Sequence, residues 1–328
     1  MERWCNLVAD RVQPDCAVGK DLFSWPMDPS NRASAVPLRF AGAFHALVLQ
    51  GVDEALIAAY PPNVVDNDTL WAAIHGAMER HEDFILKWMK SPPQTNEVRR
   101  CNALIPAFHL IASETGLPLR TSEIGVSAGL NLGWDRFGMT IGDQVWGDAD
   151  SSVQLTPDWR GPLPPRADVQ VVDRAGCDLN PLDPSDPADR LRLISYLWAD
   201  QAERKARTDA AIDLALAAKH PVYKQDALAF LADRLANPVP GVAHVIYHSI
   251  VWQYLPADAQ AKGVAMIEAA GAKATADAPL FWLTFEGDNN GEGAGIVLRS
   301  WPDDHTRELA RADFHGRWVA WNKVETLV

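Results

Sequence analysis

The chain has 328 residues, of which 48% are hydrophobic and 22% charged. That is the composition of an ordinary globular protein large enough for a sizeable core. The formal net charge is −13 at pH 7, which argues against nucleic acid or an anionic membrane as the main partner, since both are bound through positive charge.

The first third reads as helical. Arg39 to Gln50 carries apolar residues at helical spacing, with Gly51 as a stop. Asp53 to Tyr60 forms a short helix ending at Pro61-Pro62. Asp68 is placed to cap a long helix towards Lys90, halted by Pro92-Pro93. A fourth helix spans about Asn96 to Thr115, with Pro106 inside it and Gly116 after it. We expect a helical N-terminal region or lid over residues 1–116, before an α/β domain over 117–328.

Residues Leu117 to Trp134, LPLRTSEIGVSAGLNLGW, read as a strand, a tight turn of small residues and a helix. Such a turn brings backbone N–H groups close to a ligand. The acid two residues before the first glycine disfavours a phosphate and suits a cationic or hydroxyl-bearing ligand. The stretch resembles motif I of the class I S-adenosylmethionine-dependent methyltransferases, acid-x-Gly-x-Gly-x-Gly, with Ser127 in place of the middle glycine. The same residues, Gly125-Val126-Ser127-Ala128-Gly129, also fit G-x-S-x-G, the nucleophile elbow of α/β-hydrolases. Chain order favours the methyltransferase, because helices precede this strand and no His-Gly-Gly loop is present. A serine hydrolase would need Ser127, a later acid such as Asp226 or Asp258, and His305 or His315.

Residues 137–168 read as an inserted hairpin or extended excursion, rich in Gly, Asp, Pro and Trp. A strand at Val169 to Val172 leads to Gly176-Cys177-Asp178-Leu179-Asn180-Pro181. Asp186 and Pro187 open a long helix reaching about Lys219. Strand candidates then follow at Val222-Tyr223, Ala243 to Trp252 and Pro279 to Phe285, separated by helical patterns. This alternation implies a mainly parallel sheet. Gly295–Ser300 and Gly316–Trp321 read as an antiparallel edge hairpin. The expected fold class is therefore α/β, with a Rossmann-like, methyltransferase-type sheet.

The resemblance implies site residues. Glu123, Gly125, Ser127 and Gly129 would form the cofactor turn. Asp178, with Leu179, would hold the ribose hydroxyls, and Asp226 with Ala227 would border the adenine. His248 ends a strand where substrates gather in open sheets and is the candidate base. Asn131, Trp146, Trp252 and Glu286 are the candidate substrate residues, and Glu286, just past the Pro279–Phe285 strand, is also the second candidate base. For each there is a plainer role: Asp178 ends a strand, Asp226 caps a helix, and His248 bonds to the backbone. The run Asp178, Asp183, Asp186, Asp189 has no calcium-loop spacing and no metal is expected.

EIGVSAGLNLGWDRF, RAGCDLNPLDPSDPADRLRLISYLWADQAERKARTDAAI, VIYHSIVWQYLP and DFHGRWVAW are similar to sequences of the bacterial family known as domain of unknown function 2332. That family looks like a methyltransferase-type fold behind a helical extension, and it implies no activity of its own. The expected function is S-adenosylmethionine-dependent methyl transfer to a small molecule. The alternatives are the serine hydrolase and a non-catalytic protein that binds a nucleoside ligand or a protein partner. A homodimer is the assembly left open. Cys5, Cys16, Cys101 and Cys177 have neither zinc nor redox spacing. The first residues lack a signal-peptide core, and no apolar run would span a bilayer. A cytoplasmic location is therefore expected.

Overall fold

The computed structural model describes residues 1–30 and 33–323. They divide into two compact units. The first contains Met1–Thr95 and Leu182–Ala206; the second contains Asn96–Pro181 and the described residues from Arg207 onward. In this division the helix ending at Thr115 falls in the second unit.

The first unit is helical. Its helices are α1 (Glu2–Arg11), α2 (Ala17–Phe23), α3 (Val36–Gln50), α4 (Glu54–Ala59), α5 (Asn67–Arg80) and α6 (Glu82–Met89). Helix α7 (Cys101–Thr115) belongs to the second unit, and α8 (Pro187–Ser195) returns to the first. Trp4, Phe40, Phe44, Leu47, Ile74 and Tyr196 are central to the first unit's core. The long helix expected from Asp68 breaks at His81, and its cap is Asp66, which accepts from the Thr69 N–H at 2.8 Å. The break has a nonlocal cause. The buried Asp53 carboxylate caps α4 and also takes Arg80 Nη2 at 2.8 Å and His81 Nε2 at 3.1 Å. The helix expected from Pro187 to Lys219 also divides: Tyr196 leaves helical geometry to bury its ring, and α9 (Ala202–Ala218) begins anew.

The second unit is built on strands β1 (Leu119–Ile124), β2 (Gly138–Ile141), β3 (Gln144–Gly147), β4 (Gln154–Leu155), β5 (Asp158–Arg160), β6 (Val171–Asp178) and β7 (Val222–Lys224). Helix α10 (Ala227–Leu235) leads to β8 (Ala243–Ser249), and α11 (Ala257–Gly271) leads to β9 (Leu280–Glu286). Strands β10 (Ala294–Trp301), β11 (His305–Ala312) and β12 (Trp318–Trp321) complete the set. The large sheet runs β5-β12-β11-β10-β9-β8-β1-β6-β7, while β2, β3 and β4 form a small sheet of their own in the insertion.

From β9 to β7 all pairs are parallel, and β9 to β12 pair antiparallel. The architecture is therefore mixed α/β with a mostly parallel sheet, antiparallel strands towards one edge, and N-terminal helices. The expected closing hairpin is a three-stranded meander, because β11 lies between β10 and β12. Its sequence, HTRELARA, conceals an inward-facing Arg307, which is paired with Glu114 of α7 at 2.8 Å.

Strand β8 is buried along its whole length, and β1 nearly so, as expected for strands covered on both faces. From β1 the chain moves to β6 and β7, then crosses back to β8 on the other side of β1. The reversal lies between β1 and β8, and in open α/β sheets ligands bind outside the carboxyl ends of the strands at such a point.

Candidate functional site at the carboxyl ends of the strands

The turn after β1 is held from both sides. The N–H groups of Gly125 and Val126 donate to the Cys177 carbonyl at 2.9 and 3.0 Å, and Gly129 N–H closes the turn on the Val126 carbonyl at 2.9 Å. Ser127 has φ +53°, a region that glycine enters freely and other residues avoid. The serine thus occupies the middle-glycine position at a cost of about 1–3 kcal/mol. Its side-chain hydroxyl is buried without a hydrogen-bond partner. Gly125 has φ +71°, and a β-carbon there would lie 2.3 Å from Val251 Cγ2. The close approach at Gly125 is therefore made by the loop after β8. The turn is followed by a 3-10 segment, Leu130–Arg136, where an α-helix was expected.

Asp178 ends β6 and secures this turn. Its Oδ2 accepts the Ser127 N–H at 3.0 Å, and its Oδ1 accepts the Asn180 N–H at 2.9 Å. A carboxylate oxygen has two lone pairs, so each retains capacity for a ligand hydroxyl. The adjoining Leu179 is 63% exposed. Asp226 caps α10 through the N–H groups of Leu228 and Ala229, and Ala227 begins that helix.

Glu123 faces inward, only 2% exposed. The Tyr247 hydroxyl donates to its Oε2 at 3.0 Å. Burial is the main cause that pushes its carboxyl up to about 8; Asp178 adds repulsion, while Tyr247 and Arg100 oppose the rise. Glu123 is therefore a mostly neutral buried acid at pH 7, and its neighbourhood includes Asp178.

A second cluster lies at the ends of β8 and β9. Glu286 Oε1 accepts from three donors: His248 Nδ1 at 2.7 Å, Val251 N–H at 3.0 Å and Trp252 N–H at 3.1 Å. Its other oxygen, Oε2, is buried without a partner. Burial pushes this carboxyl up, but the His248 contact and the two backbone N–H groups outweigh it and hold it below its ordinary range. The His248 ring stacks on Trp252 at 4.8 Å, and its Nε2 receives the Trp282 indole N–H at 3.0 Å. Both ring nitrogens are thus engaged. Val251 links the two clusters, since its side chain covers Gly125 while its N–H binds Glu286.

Arg100, unremarked in the sequence reading, belongs here. Its Nη1 donates to the Ser249 carbonyl at 2.9 Å and its Nε to the Phe314 carbonyl at 3.2 Å. Burial draws its pKa down, against the attraction of Glu97, Glu286, Tyr254 and Glu123. No local pattern marked it, because it precedes α7 in a stretch read as helical extension. Asn131 is only 1% exposed; its amide donates to the Glu97 carbonyl at 3.4 Å. Trp146 lies apart, buried in the small sheet, with its indole N–H on the Pro165 carbonyl at 3.2 Å. It lines a different cavity of about 300 Å³, together with His109 and Trp134. Among the described residues, no cluster of three or more His, Cys, Asp or Glu side chains could hold a metal ion. No helix among them is long and apolar enough to cross a membrane.

Fold and site together define an open-sheet α/β protein with a tight turn and buried carboxyl groups at its topological switch point. The chain belongs to the DUF2332 family, described as an uncharacterized protein conserved in bacteria, which it matches over residues 1–321. Neither the curated proteins nor the solved structures include a match to the chain.

Proposed function

We propose that the protein binds S-adenosylmethionine at the carboxyl edge between β1, β6 and β8, and transfers its methyl group to a small-molecule acceptor. The observation that carries this reading is a pair of orphaned buried polar atoms at that edge: the Ser127 hydroxyl and Glu286 Oε2. A buried polar atom without a partner costs about 1–3 kcal/mol, and a ligand bearing hydroxyl or cationic groups would relieve it. Bound there, S-adenosylmethionine would supply an electrophilic methyl group. Asp178 would take ribose hydroxyls on its remaining lone pairs, and Ser127 would bond the ligand from the turn. Glu286 would accept a proton from the acceptor or orient it, held by His248, Val251 and Trp252. In this reading His248 positions Glu286 and is not itself the base, because Trp282 occupies its second nitrogen.

Calorimetric titration with S-adenosylmethionine and with its demethylated product tests the reading. Micromolar-range binding is expected, weakened by Asp178→Ala. Flat titrations with both ligands would remove the proposal.

One observation favours a second reading. A serine at φ +53° within G-x-S-x-G has the strained turn that presents a hydrolase nucleophile. That chemistry needs an imidazole on the hydroxyl, and among the described residues none bonds Ser127 Oγ. Labelling by a fluorophosphonate that Ser127→Ala abolishes would favour the hydrolase.

A further inference from the structure

A cavity of about 300 Å³ lies at the opposite, amino edge of the sheet, where β8 and β9 begin. It lies far along the strands from the Ser127 turn. Leu235, Val242, Met266, Ala270 and Leu280 give it apolar walls, and Val239 and Lys273 belong to its lining as exposed residues. Its size is at the lower end of the range for small-molecule pockets, which are mostly apolar with a few placed polar groups.

The polar group here is His244, which lines the cavity and is only 8% exposed. Its Nε2 lies 2.9 Å from Ser122 Oγ, which also accepts from Arg234 Nε at 2.7 Å. With the Ser122 hydroxyl proton turned to Nε2, the neutral ring carries its own proton on Nδ1. Burial, reinforced by Arg120 and Arg234, holds the ring well below its ordinary pKa, so it stays neutral. Nδ1 has no protein partner among the described residues. The surroundings are also cationic. Arg120 and Arg234 share one carboxylate, Asp173, each at 2.9 Å, and Lys273 adds a third positive charge.

We propose that this cavity is a second ligand site, for a compact apolar carboxylate whose chain fills the apolar walls and whose head accepts from His244 Nδ1–H. The excess of positive charge selects a carboxylate over an uncharged acceptor of the same size. Nothing in this inference depends on the methyl-transfer reading.

The test is titration of the full chain with octanoate and 1-octanol, followed by the Met266 methyl resonance. Octanoate is expected to shift that resonance saturably and to bind at least tenfold more tightly than 1-octanol. His244→Phe should erase most of that preference. Ala270→Phe should abolish binding by filling the cavity, and Val239→Trp, at an exposed position, does the same if the first variant fails to fold. An unmoved Met266 resonance, or octanoate binding that survives filling of the cavity, overturns the site. Equal affinity for octanoate and 1-octanol overturns the carboxylate assignment.

Discussion

The indole N–H of Trp282 is bonded to His248 Nε2 at 3.0 Å, and through His248 it bears on Glu286. The acceptor nitrogen is thereby satisfied, and the imidazole proton is directed to the carboxylate. Trp282→Phe keeps an aromatic ring but removes the donor. A buried acceptor without a partner costs about 1–3 kcal/mol, and denaturant unfolding should show a loss of that size. An unchanged midpoint at constant slope would show that the bond contributes nothing.

Glu286 is expected to matter for turnover more than for ligand affinity. Glu286→Gln keeps the shape and an acceptor oxygen for the Val251 and Trp252 N–H groups, but loses the negative charge. If the carboxylate takes a proton during transfer, the rate should fall by roughly 10²-fold or more, with S-adenosylmethionine affinity within about threefold of the parent. Equal rates would remove Glu286 from the chemistry.

Glu123 gives stability a pH dependence. Its carboxyl is held at about 8 in the fold, against an ordinary 4.5. Between these values the folded state binds more protons than the unfolded state, so stability falls as pH rises. The contribution is fully present below about pH 4.5 and is lost by about pH 8. Glu123→Gln should flatten that slope in unfolding experiments from pH 5 to 8. An undiminished slope would assign the dependence to another group.

The turn residues should respond in opposite directions. Gly125→Ala places a β-carbon at positive φ and against Val251, and should destabilise by about 1–3 kcal/mol. Ser127→Gly removes a β-carbon from φ +53°; strain relief offsets added backbone entropy, leaving a change within about 1 kcal/mol. Thermal unfolding of both variants separates the two cases. Destabilisation by Ser127→Gly as large as that by Gly125→Ala would contradict the strain argument.

Strands β8 and β9 were legible because burial writes them as mainly apolar runs, AHVIYHS and LFWLTFE. Strand β6, expected at Val169 to Val172, instead runs Val171–Asp178 through the charged sequence VVDRAGCD. The turn after β1 and the ends of β6 and β8 followed from that order. What escaped was nonlocal. Asp53 breaks a helix almost thirty residues later by engaging Arg80 and His81. Glu114 makes a charged strand possible by pairing with Arg307. Arg100 joins the site through carbonyls of Ser249 and Phe314, both distant in sequence. Asp178, Asp226 and His248 do lie at strand ends, yet their hydrogen bonds also perform the plainer duties of turn, cap and support. Composition and spacing carry no information about which duty dominates.

The first helical unit draws its last helix from residues 182–206, after β1 and β6 have been specified. During synthesis its early helices leave the ribosome with the Tyr196 wedge still missing. They must wait for more than a hundred further residues before that wedge arrives. The N-terminal segment is therefore no autonomous module, and cutting the gene after residue 116 would yield helices whose exposed aromatic faces favour aggregation.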